Sequence, residues 1–205
     1  MCEHMNAIVA DIQSKEQILR RNRQKAVVLV ATDGLSSDGD LVRALKPLER
    51  LPVWLVVKLC TDEDSVVESY NALDGALEVE MDVLDDFKSE AAEIHAAKNN
   101  WLNYGLPLHR LRESGMVSCK AYDKMDEVQL ASAEMLDLVA GLLGGDRRDW
   151  PDPSTDFPDF FGRLQALNRA AEPVEDPLQG LTRHMWVHER RLKQAYSGKG
   201  LCTIA

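Results

Sequence analysis

The residues best suited to chemistry fall in one short stretch: Thr32, Asp33, Gly34, Ser36, Ser37, Asp38 and Asp40. Hydroxyl and carboxylate oxygens gathered in a polar turn suit a hard divalent cation, Mg2+ or Mn2+, which prefers oxygen ligands. Thr32, Asp33, Ser36 and Asp38 are the candidate ligands. The competing reading is a polar turn that caps the helix after it. His184 and His188 stand four apart in HMWVHERRLKQAY, which reads as a helix, and that spacing is compatible with zinc. The zinc-protease pattern needs Glu directly after the first His, however, and Met185 stands there. Two surface histidines on a basic helix is the better explanation. His95 and His109 have no convergent partners in sequence, and Trp54, Trp101 and Tyr104 read as core. No Ser/His/Asp set, Gly-x-Ser-x-Gly elbow or phosphate loop occurs, so the chain is read as non-enzymatic.

The last four residues, Cys202-Thr203-Ile204-Ala205, have the C-a-a-X form of a prenylation signal, weakened by Thr at the first aliphatic place. Five basic residues against one Glu between Arg183 and Lys199 would supply the second signal that reversible membrane anchoring requires. An unmodified tail is the default, and peripheral membrane association through Cys202 is the variant. Cys2, Cys60, Cys119 and Cys202 show no paired spacing, which suits free thiols in a reducing, cytoplasmic compartment.

The elements that must position the polar turn are legible around it. Ile8, Ile12, Ile18 and Leu19 recur at helical spacing and run into a basic end at Arg20, Arg21, Arg23 and Lys25. Ala26–Ala31 reads AVVLVA, an unbroken apolar run that predicts a strand buried on both faces. A helix over about 40–50, bent by Pro47, follows the turn. A second buried strand, LPVWLVVKLC, comes next, then a helix over about 62–73 and a weaker edge strand over 77–84. Residues 86–98 and 99–113 read as helical. The β-α-β-α-β order predicts a parallel, doubly wound α/β sheet of about three strands. Beyond it, 128–143 reads as an amphipathic helix ended by Gly144 and Gly145. Five of the eight prolines fall in 151–177, a loop-rich wrap with a short helix near 160–167. The domain division predicted is 1–115 for the α/β part and 116–205 for a helical extension.

The string KAVVLVATDGLSSDGD, followed by a helix, LPVWLVVKLC, another helix and a weaker strand, resembles the second half of a von Willebrand factor A (vWA) domain. In that family a strand ending in Thr-Asp-Gly supplies an aspartate to a metal-ion-dependent adhesion site, and the matching residues are Thr32, Asp33 and Gly34. The resemblance spans about residues 4–98. It implies a Rossmann-like fold and a protein ligand held through a cation. The family's Asp-x-Ser-x-Ser strand and its later threonine are missing, so half a site remains. By the resemblance, the chain holds strands 4, 5 and 6 of an order 3-2-1-4-5-6, which leaves AVVLVA as an open edge. A truncated gene product is the favoured expectation, a half-domain needing another chain the alternative.

Universal stress proteins also run a strand into such a turn, and the resemblance there implies nucleotide binding. Their glycine-rich phosphate loop has no match, because Gly141, Gly144 and Gly145 lie at a helix end. A haloacid-dehalogenase-type phosphatase would need Asp-x-Asp-Gly, and position 31 is Ala.

Composition bounds these readings. The chain has 205 residues, 45% apolar and 28% charged, with a net charge of −10. That balance argues against a nucleic-acid partner, which needs a basic face. No apolar run approaches the roughly 18 residues that predict a membrane-spanning helix. Residues 26–100 hold sixteen acidic against six basic groups, so the acidity belongs to the predicted sheet region.

Overall fold

The computed structural model describes residues 1–61, 63–115, 120–180 and 182–197. The chain divides into two units, Met1–Asp86 with Leu111–Met116, and Phe87–Arg110 with Val117–Ala205.

In the first unit, α1 (Cys2–Arg21) buries Cys2, Met5, Val9 and Ile12, whose spacing of three and four puts them on one face. Its exposed side carries the pairs Asp11–Lys15 and Glu16–Arg20, one helical turn apart. The predicted stripe continues to Ile18, but Ile18 is 59% exposed. The buried face follows Cys2, Met5 and Val9 and has rotated past Ile18 by the helix end. Then come β1 (Ala26–Thr32), α2 (Leu41–Leu45), a 3-10 turn at Lys46–Arg50 with Pro47 in its first turn, β2 (Val53–Leu59), α3 (Asp64–Ala76) and β3 (Met81–Leu84). The three strands are parallel in the order β1-β2-β3, so the coarse α/β expectation holds.

Register assigns the faces. Val28 lies opposite Leu55, Leu29 opposite Val56, and Val57 opposite Val83. The face formed by Val28, Val53, Leu55, Val57, Leu59 and Met81 packs in one cluster with buried residues of α1, α2 and α3. Helices α1, α2 and α3 therefore lie on a single face. The other face carries Val27, Leu29, Trp54, Val56, Lys58 and Asp82, and the returning residues 112–115 reach it. Glu113 pairs with Lys58, Arg112 with Asp82, and Gly115 sits against Val27, Trp54 and Val56.

Composition predicts a β1 buried on both faces, and this the structure corrects. Val27 is 43% and Leu29 59% exposed, because β1 stands at the edge of the sheet with β2 as its one bonded neighbour among the described residues. Central β2 has the buried pattern expected of both runs. Strand β3 stands at the other edge of the sheet among the described residues, but it starts at Met81 rather than 77, and Asp82, on the face its alternation leaves exposed, is buried.

The second unit contains α4 (Phe87–Ile94), a π turn at His95–Asn99, most of α5 (Leu106–Glu113), α6 (Ala121–Lys124), α7 (Ser132–Leu143) and α8 (Phe157–Ala170). Two three-residue antiparallel strands, β4 (Val174–Asp176) and β5 (Thr182–His184), and α9 (Glu189–Tyr196) complete it. Helix α8 is longer than predicted; Asp156 caps it and Pro158 stands in its first turn. Buried asparagines stitch the unit. Asn99 donates to the Met125 and Val128 carbonyls at 2.7 and 2.8 Å and accepts from Leu130 N–H at 3.1 Å. Asn168 exchanges two bonds with the Val187 backbone. These bonds, with the Leu102–Val187 bridge, tie 87–110 to the later chain. Residues Phe87–Arg110 thus belong with the second unit and Leu111–Met116 with the first.

Candidate functional site

Thr32 ends β1, and its hydroxyl donates to the Gly34 carbonyl at 2.8 Å while the Gly34 N–H donates back at 3.3 Å. The Tyr70 hydroxyl on α3 donates to the same carbonyl at 3.2 Å, which pins the start of the loop. Asp33 is exposed and makes no hydrogen bond or ion pair among the described residues. Ser36 donates to Asp38 at 2.8 Å, with Cys2 Sγ 3.2 Å from its oxygen.

Asp38 is engaged with the start of α1. Its carboxylate accepts from Cys2 N–H at 2.9 Å and Glu3 N–H at 3.2 Å, and pairs with the Met1 ammonium at 2.7 Å. It serves as the capping group of α1, satisfying donors that a helix start leaves unpaired. The Met1 ammonium first, then the Cys2 amide, Ser36 and the Glu3 amide, hold its carboxyl well below the usual carboxylate range. Asp40 caps α2, accepting from Arg43 N–H at 3.1 Å. Of the four predicted ligands, Thr32, Ser36 and Asp38 are thus engaged within the protein, and Asp33 alone faces outward.

Beside this loop lies an open cavity of about 200 Å³. Leu35, Leu41, Val42 and Leu73 line it, with Ser36 and Asp40 of the loop and Ser69 and Tyr70 of α3 as its polar part. Leu35 is 57% and Val42 37% exposed at its rim. Sequence reasoning missed this feature. The apolar residues on either side of Ser36–Asp40 were its signal.

The histidines lie elsewhere than predicted. His184 ends β5 and His188 precedes α9 as its N-cap residue, so the two do not share a helix, although their rings approach to 6.2 Å. The Thr182 hydroxyl lies 2.8 Å from His184 Nε2. Burial, then Arg191, push His188 below its ordinary value, and burial does the same to His95. His109 does have a partner, the Tyr104 hydroxyl at 3.1 Å, and Trp101 and Tyr104 are buried as expected. Glu90 and Glu93 on α4 and Asp126 after α6 bring one carboxylate oxygen each within 4.8 Å of one another. The spacing of three within α4 was legible, the approach of Asp126 was not. Cys202 lies outside the described residues. No described helix is long and apolar enough to cross a membrane.

The chain matches no family model, no curated protein and no solved structure.

Proposed function

We propose that the chain is a non-enzymatic protein-interaction module resembling a vWA domain, with the loop after β1 and its neighbouring cavity as the contact surface. The cavity carries this reading. Exposed Leu35 and Val42 border a preformed apolar concavity, the arrangement in which a partner's apolar anchor gains most from burial. Asp33, two residues before Leu35 and exposed, is the carboxylate left to reach Mg2+ or Mn2+. Such a cation would be held only if further oxygen ligands came from the missing half of the site or from the partner. A cytoplasmic location belongs to the same reading, and prenylation of Cys202 would add peripheral membrane association.

The test uses two substitutions at equally exposed leucine-like positions. Leu35 is 57% and Ile18 59% exposed, and Ile18 lies on α1 away from the cavity lining. Leu35→Glu is expected to lose the proteins that the wild-type chain captures, while Ile18→Glu keeps them. Equal capture by both variants would contradict the reading. A thermal shift with ATP, expected to be absent, would support the nucleotide-binding alternative.

A further inference from the structure

Among the described residues no strand pairs with the outer edge of β1, which runs into the loop at Asp33. Ala26 N–H donates to the Pro52 carbonyl, and the Thr32 carbonyl accepts from Cys60 N–H, so the even-numbered residues of β1 turn their peptide groups toward β2. Alternation then turns those of Val27, Leu29 and Ala31 outward. All three are exposed, and the seven-residue strand contains no charge, proline or glycine. Edges of that kind template further pairing unless something covers them.

We infer that a second copy of this chain covers it, through antiparallel pairing of two β1 strands about a two-fold axis at Leu29. The sequence around the strand is self-complementary in that register. Leu29 meets Leu29 of the second copy, Val27 meets Ala31, and Lys25 at one end meets Asp33 at the other, twice over. Every residue whose peptide groups point outward meets another such residue, which yields about six backbone hydrogen bonds. The paired residues have equal parity, so Val27, Leu29 and Ala31 of both copies form one continuous apolar patch on the same face. Lys25 stands on that face too, 5.8 Å from the Trp54 ring centre and paired with Glu80, while Asp33 is free to receive it. The two three-stranded sheets become a single six-stranded one.

Sedimentation of the full chain under reducing conditions tests this. The expected species has twice the 23.0 kDa chain mass. Leu29→Lys, which sets two ammonium groups opposite each other, raises the dissociation constant about tenfold or more. Lys25→Glu and Asp33→Lys each weaken the dimer, and the double variant restores it. The double variant also lacks the Lys25–Glu80 pair, as Lys25→Glu does, so recovery reports the contact between copies. Circular dichroism checks that each variant is folded, and the charge variants stand even if Leu29→Lys is not. Leu35→Glu is expected to leave the dimer intact, which separates this inference from the loop reading. A monomer at all concentrations overturns the proposal, as does a dimer indifferent to the charge swap.

Discussion

Arg112 forks across both carboxylate oxygens of Asp82, at 2.8 and 3.2 Å, with its side chain fully buried and that of Asp82 8% exposed. The pair fastens the end of α5 to the open face of β3, next to the point where Gly115 meets β1 and β2. A bidentate pair of this kind fixes geometry more than it adds net stability. Removing Asp82 takes both of these charge-assisted bonds from a fully buried guanidinium. Asp82→Ala is expected to cost about 3–5 kcal/mol in urea unfolding. Adding Arg112→Met to it should recover part of that loss.

Gly115 has φ +66, and a Cβ there would lie 2.6 Å from Val27 Cγ1 and 3.2 Å from Trp54 Cδ1. Both the left-handed backbone and the close approach require glycine. Gly115→Ala is expected to lower stability by about 2 kcal/mol, whereas Gly34→Ala, with open space around it, should cost less than 1 kcal/mol. Paired denaturation curves distinguish them.

The lowered carboxyl of Asp38 ties α1 to pH. The folded state holds the charged form more tightly than the unfolded chain does, so its contribution is complete above the ordinary value of 3.8 and fades as pH falls below it. Asp38→Asn is expected to lower the melting temperature at pH 7 and to flatten the decline between pH 5 and pH 2. An unchanged acid limb would show that the cap contributes nothing.

His188 and His95 carry a second acid dependence with its own window. Burial keeps both below their ordinary 6.5; Arg191 opposes the protonation of both and Asp176 favours it, while His184 and His95 add to the opposition at His188 and the Leu102 backbone favours protonation of His95. The unfolded chain binds these protons more readily, so stability is complete above 6.5 and declines as pH falls through it. Proton NMR is expected to show both rings titrating below 6.5. His188→Gln should reduce the loss of stability between pH 7 and pH 5.

What the sequence made legible was local. The runs Ala26–Ala31 and Val53–Leu59 are both Val-rich and both became strands, and Pro47 turned the helix after β1 into a 3-10 turn. Their shared wealth of Val and Leu hid that one is central and the other an edge, because apolar residue type records preference for burial and not the number of neighbours. The same limit applies to charge. Asp40 caps the helix directly after it, a role readable from position, whereas Asp38 caps a helix that begins 36 residues earlier in the chain. His184 and His188 kept a helical spacing but lost the helix, since residues 182–184 pair with 174–176 instead. Long-range pairing overrode local periodicity there.

A photo-reactive side chain at position 42, on the rim of the cavity, tests the contact surface most directly. Placed at Val42 it is expected to give discrete adducts with other proteins that disappear with Leu35→Glu, while the same group at Ile18 gives none. Adducts from position 18 with none from 42 would contradict the proposal that the loop after β1 and its cavity bind a protein partner.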